Sequence, residues 1–163
     1  MILSEYATLR AAPHGIFSWD FTIFREEIAI ADIDMSMWRE RAELRIADQI
    51  YSVYHESMLE GTFVLRTGDL VLARAQKGFT RTFDMDVAGR HMELKALSFW
   101  TREFGLFENN ALIGRIGPSG WLRRKAIIEL PESLSLPVQV FFFWLVLILW
   151  RRATQHQDFA GVA

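Results

Sequence analysis

The chain predicts an all-β fold, a closed barrel of about 12 antiparallel strands around one apolar C-terminal helix. Three observations lead there. Short segments alternate apolar and polar residues between turn-forming residues. The grammar changes abruptly after Pro137. The apolar run that follows has no wet face and must be enclosed on every side.

The period-two segments are clearest mid-chain. Phe79, Arg81, Phe83, Met85 and Val87 fall on one face and Thr80, Thr82, Asp84 and Asp86 on the other. Ala88-Gly89-Arg90 reads as a turn, and Met92, Leu94 and Ala96 return. Thr62 to Arg66 and Leu70 to Ala75 form a like pair around Thr67-Gly68-Asp69. Glu103 to Phe107 and Leu112 to Ile116 do so around Glu108-Asn109-Asn110, residues that tolerate positive φ. Gly117-Pro118-Ser119-Gly120 is another turn, and Leu122 to Leu130 the last strand, ending at Pro131.

Upstream, Phe17, Trp19, Phe21 and Ile23 alternate with polar residues as a strand would, and Glu27 to Ile33 predicts another. Arg41 to Ile46 and Ile50 to Tyr54 read as a hairpin around Ala47-Asp48-Gln49. A helix over Arg39 to Tyr54 is the alternative, since Ala, Glu, Leu and Arg favour helix. The hairpins share a grammar without a fixed-period repeat. No linker divides the chain, so residues 1–163 are expected to form one domain.

From Val138 to Trp150 one residue of 13 is polar, Gln139, and Arg151-Arg152 ends the run. Pro137 suits a first helical turn. The central helix is expected over about 134–152. A bilayer span needs about 20 apolar residues, whereas runs of about 10–14 are more often core helices. A helix is about 10–12 Å across with its side chains, and a barrel of 11 or 12 strands has room for one. The competing expectation is a single C-terminal membrane span.

Bulk composition narrows the function. The 163 residues are 51% hydrophobic and 13% aromatic, so a packed core is expected. Net charge is −2, which gives no reason to expect nucleic acid as a partner. Residues 1–60 carry 5 Lys and Arg against 11 Asp and Glu. Residues 61–163 carry 13 against 9, so the second half is basic. It could face an anionic partner or attract the acidic half within the fold. Absence of cysteine removes disulfides, thiolate metal sites and cysteine nucleophiles, and fits a reducing, cytoplasmic setting. Residues 1–10, with Glu5 and no long apolar run, do not read as a signal peptide.

Chemistry-bearing motifs are sparse. His14, His55, His91 and His156 show no metal spacing, and no GxSxG, phosphate-binding loop or GxGxxG occurs. No catalytic residue, metal ligand or cofactor is therefore assigned. Asp32 with Asp34 and Asp84 with Asp86 read as exposed strand faces. Glu129 would act as an acid only from a closed pocket. The six Trp are expected to pack in the core and at the barrel ends. A barrel-mouth enzyme remains a distant alternative. Arg123, Arg124 and Lys125 form the densest basic run and are candidate anion ligands, Arg by bidentate bonds and Lys as a point charge. Arg151 and Arg152 are further candidates, or simply cap the helix.

The order of these features resembles the tubby-like C-terminal fold shared by tubby proteins, LURP-one-related proteins and phospholipid scramblases. Short hairpins run from Gly61-Thr62-Phe63-Val64-Leu65 to Trp121-Leu122-Arg123-Arg124-Lys125-Ala126-Ile127-Ile128-Glu129-Leu130-Pro131, and the hydrophobic closing helix follows. About 90 residues carry the likeness well and the first 60 loosely. The resemblance implies a 12-stranded barrel threaded by its helix. It also implies a non-enzymatic role in binding anionic phospholipid headgroups or a protein partner, in the cytoplasm or peripheral to a membrane. The scramblase calcium-binding segment and acylated cysteines have no counterpart here, which speaks against calcium-driven scrambling.

Overall fold

The computed structural model of the protein describes residues 6–36, 38–56, 61–120 and 124–160, with side chains up to 157. Twelve strands precede one helix. They are β1 (Tyr6–Pro13), β2 (Phe21–Arg25), β3 (Ile28–Met35), β4 (Arg41–Ile46), β5 (Gln49–His55), β6 (Thr62–Thr67), β7 (Leu70–Lys77), β8 (Thr82–Val87), β9 (Arg90–Ala96), β10 (Phe104–Glu108), β11 (Ala111–Pro118) and β12 (Ala126–Pro131), followed by α1 (Leu136–Ala160). Each strand pairs antiparallel with its sequence neighbours, and β12 closes on β1 from Tyr6↔Pro131 to Ala11↔Ala126. Closure leaves no sheet edge.

Up-and-down order gives the barrel two unlike ends. At one end, five hairpins turn through two residues, with positive φ at Glu26, Ala47, Gly68, Ala88 and Asn109, the first of each pair. Two-residue hairpin turns need this backbone because it matches the strand twist. The turns recur every 20 or 21 residues, a hairpin period that the varied turn chemistry, Glu-Glu to Asn-Asn, conceals in the sequence. At the other end six connections of four to seven residues join the strands. They are called here the turn end and the loop end.

Inward faces alternate small and large. Ala11, Ala31, Ala42, Ala73, Ala75 and Ala126 leave space that Phe21, Phe63, Phe83 and Phe104 do not, and all are buried. The helix fills the lumen. It enters from the turn end, where Gln139 Nε2 donates to the Leu134 carbonyl at 2.8 Å. Every residue from Val138 to Arg151 is buried. Phe143 meets Phe21 edge to face at 5.4 Å, and Trp144 meets Phe63 at 5.8 Å. Burying each such side chain contributes roughly 1.5–3 kcal/mol before chain entropy.

Several boundaries differ from expectation. The helix runs eight residues past Arg152, because Ala153, Gln155 and Gln157 favour helix and no Pro or Gly interrupts it; the exposed side chains of 153–157 leave the barrel. The stretch Leu136–Gln157 is therefore long and apolar enough to cross a membrane by length and composition. Enclosure, not length, is what distinguishes this helix from a span. Arg39 to Tyr54 takes the strand reading, as β4 and β5. β1 carries only a weak apolar signal in the sequence, since its inward residues are Ala7, Leu9 and Ala11. β2 starts only at Phe21 and β8 at Thr82, so Phe17, Trp19, Phe79 and Arg81 belong to loops.

Candidate functional site

The loop end gathers two kinds of side chain. The first is large, apolar and uncovered. Ile16 and Phe17 on loop 14–20, Trp38 on loop 36–40, Phe79 on loop 78–81, and Phe99 and Trp100 on loop 97–103 are each at least 82% exposed. The expectation that the six Trp pack in the core and at the barrel ends holds for Trp144, Trp150 and the partly buried Trp19, and fails for the exposed Trp38 and Trp100; Trp121 lies outside the described residues. The turn end exposes Tyr6 and the aliphatic Ile28, Ile50, Leu70 and Leu112, and none of its two-residue turns carries an aromatic.

The second kind is cationic, and its members brace the loops. Arg124 lies over the Trp19 ring at 4.4 Å from the centroid and donates to the Ile16 carbonyl. Arg151, buried, donates to the Ser36 and Arg39 carbonyls at 3.0 and 3.2 Å, on either side of Trp38. Lys77 donates to the Gly78 carbonyl at 3.0 Å, next to Phe79. Arg81 donates to the Phe99 and Thr101 carbonyls at 3.5 and 3.1 Å, on either side of Trp100. Ser98 Oγ accepts from the Thr101 N–H, and Phe99 meets Trp100 edge to face at 5.1 Å. Each exposed apolar tip thus sits on a loop fastened by a cation from another segment or from the strand beside it.

These acceptors are neutral, so the positive charge is not cancelled. Burial pushes the Arg151 guanidinium below its ordinary value, which Glu40 opposes and Arg152 reinforces. Burial does the same to Arg124, with Arg102 adding repulsion. Burial also lowers Arg102, whose guanidinium lies 4.4 Å over the Trp150 ring. All three stay charged. Partly dehydrated cations that crowd one another favour an anion beside them.

The acids of this end are mostly committed. Asp20 accepts from the Met35 N–H at 2.8 Å, and Glu56 pairs with Arg74 at 3.2 Å. Glu40 receives Arg152 Nε at 2.6 Å and lies 3.2 Å from His55 Nδ1. His55 stacks on Phe63 and accepts from the Gly61 N–H through Nε2. Among the described residues this end holds nine cations: Arg39 and Arg41; Lys77 and Arg81; Arg102, Arg124 and Lys125; Arg151 and Arg152. Against them, among residues with described side chains, stand four acids: Asp20, Glu40, Glu56 and Glu103. The turn end is the reverse, with Glu26, Glu27, Asp48, Asp69, Glu108 and Glu132 against Arg25, Arg66 and Arg90.

Of the five residues expected to bind anions, Arg123 lies outside the described residues. Lys125 is exposed, with no side-chain hydrogen bond or ion pair among the described residues. Arg124 and Arg151 are fasteners, and Arg152 is neutralised by Glu40. Neither Arg151 nor Arg152 caps the helix, which continues beyond both. Arg39 and Arg41, both exposed, join the basic end from outside the run that the sequence singled out. Open clefts lie between the loops and the protruding helix. One of about 430 Å³ is lined by Phe17, Trp19, Met35 and Arg151, and one of about 490 Å³ by His55, Lys77, Phe79 and Arg152. Glu129 stands exposed on β12, and no group of three His, Asp or Glu among the described residues is placed to hold a metal.

Comparison with known proteins finds no matching family model, no matching curated protein and no matching solved structure.

Proposed function

We propose that this chain is a non-enzymatic binding module that recognises anionic phospholipid headgroups at a membrane surface, using the loop end of its barrel. The observation that carries this reading is the separation of charge along the barrel axis. Among the residues with described side chains, nine cations face four largely committed acids at one end, and acids outnumber cations at the other. Each cation near an anionic leaflet contributes about 1 kcal/mol of attraction, within about a Debye length of 8–10 Å. The same field repels the turn end, so attraction and orientation come from one source. The open clefts beside Arg151 and Lys77 are of a size to admit a headgroup. The tubby-like resemblance of the hairpins and closing helix agrees with lipid binding and with a cytoplasmic, membrane-peripheral location.

Sedimentation with phosphatidylcholine vesicles, with and without phosphatidylserine, tests the proposal. Binding should require phosphatidylserine, weaken as salt rises, and fall when Arg39→Glu and Lys125→Glu are combined. Equal partitioning to both vesicles, indifferent to salt and to that variant, would remove it.

A second reading has one observation in its favour, the span-like length and composition of Leu136–Gln157. There the helix would leave the barrel and anchor the chain. Extraction from membranes only by detergent would support it, and release by salt or alkaline wash would exclude it.

A further inference from the structure

We infer that the apolar loop tips enter the boundary between headgroups and acyl chains, so that the barrel docks end-on with its helix still inside. This rests on the headgroup reading above and adds a depth and an orientation to it. Six large apolar side chains, nearly all their surface in water, sit on four loops that the up-and-down topology brings to one end. A protein that keeps such groups in water forgoes the gain of burying them, which an apolar medium recovers.

The spacing of charge says which medium. On three of the four loops a cation lies within two residues of a tip: Trp38 precedes Arg39, Phe79 lies between Lys77 and Arg81, and Trp100 is two residues from Arg102; on loop 14–20 Arg124 donates to the Ile16 carbonyl. A protein partner's binding core is continuous and depleted of charge. A bilayer interface instead takes aromatic rings at headgroup depth while Arg and Lys extend to the phosphates just above. Apolar tip with cation behind it is the order of groups met on entering an anionic membrane.

The fastening serves the same end. Arg124, Arg151 and Arg81 hold the carbonyls that flank these tips, so the loops are ordered before they meet lipid. Binding then need not bear the entropy of ordering them. Rings on separate loops around a rim also suit a fluid surface, which fills the gaps between them.

The experiment uses the full chain and phosphatidylcholine–phosphatidylserine vesicles, some with brominated acyl chains. Phe79→Ser with Trp100→Ser removes apolar tips, and Arg39→Glu with Lys125→Glu removes charge. Unchanged melting temperatures show that both variants stay folded. Insertion predicts that bromine quenches tryptophan emission of the bound chain. It also predicts that the apolar variant binds roughly tenfold or more weakly even at low salt. Binding that needs the cations, ignores the aromatic pair and shows no quenching would overturn insertion and leave headgroup recognition standing. Equal, quenched binding to neutral and anionic vesicles would sustain insertion and remove headgroup recognition. No vesicle binding at all, with self-association that the aromatic variant abolishes, would assign the tips to a protein interface and overturn both.

Discussion

The Arg124 guanidinium lies over the Trp19 indole, 4.4 Å from the ring centroid, and donates to the Ile16 carbonyl. A residue expected to grip phosphate is thereby holding a loop. Arg151, expected in the same role, holds loop 36–40, and Arg81, which the alternation places on a strand face, holds loop 97–103. Positive charge and loop order come from the same side chains, so removing one of them removes both.

Arg124→Lys separates these roles. Lysine keeps the charge but loses the guanidinium's broad contact with the ring and its fork of donors. Stability should fall by about 1 kcal/mol, the scale of a partly buried cation–π contact, and amides of loop 14–20 should exchange faster. Urea unfolding with hydrogen exchange measures both. A variant identical to wild type in both would mean that Arg124 supplies charge alone.

The helix is the core of the barrel, so truncating it inside should be costly. Phe143 packs on Phe21 at 5.4 Å and on Trp150 at 6.3 Å. Phe143→Ala should lose about 3–5 kcal/mol, much of the 5–15 kcal/mol typical of a domain. Calorimetry should show a large drop in melting temperature. A helix lying outside the barrel would tolerate the change.

Gly114 allows β11 to approach β12. A methyl group there would stand 2.8 Å from the Glu129 carbonyl oxygen and 3.3 Å from Leu130 Cα, both backbone atoms that cannot turn aside. Gly114→Ala should therefore destabilise by about 1–3 kcal/mol, read as an earlier urea midpoint. A gain in stability would show that the strands can part there.

At the turn end, Arg90 grips Glu108 with two bonds of 2.9 and 3.0 Å, linking neighbouring hairpins. Arg90's hydrogen bonds hold the Glu108 carboxyl below its ordinary value, with burial opposing and Arg90's charge assisting. A carboxylate depressed by folding contributes stability above its unfolded value, near pH 4.3, and loses it as pH falls through the lower folded value. Arg90 is raised and stays charged throughout that window. Its side chain is 35% exposed, so screening limits the pair to about 0.5–1 kcal/mol. Glu108→Gln should cost that much at neutral pH, and the difference should vanish below the carboxylate range. A constant difference across pH would contradict the assignment.

Much of the barrel could be read from local signals. Turns such as Gly68-Asp69, Ala88-Gly89 and Asn109-Asn110 announce positive φ, and an all-apolar run announces its own enclosure. What local pattern cannot separate is a strand from an aromatic loop. Phe17 and Trp19, like Phe79 and Arg81, continue the alternation of the strands that follow them, yet ladder pairing begins only at Phe21 and near Thr82. The loop end was opaque for a different reason. The carbonyls that bind Arg124 and Arg151 lie more than 100 residues away in the chain. A basic run in sequence therefore looks equally like a phosphate site and like a set of fasteners. Once topology is known, the aromatic residue in each of several loops becomes a signal, because alternate connections share one end.

Hydrogen exchange on the full chain, free and bound to phosphatidylserine-containing vesicles, tests end-on docking most directly. The account predicts new protection confined to loops 14–20, 36–40, 78–81 and 97–103, with the turns at Glu26, Ala47 and Gly68 unchanged and the helix equally protected in both states. Protection gained at the turns, or a helix that changes its exchange on binding while the strands open, would contradict it.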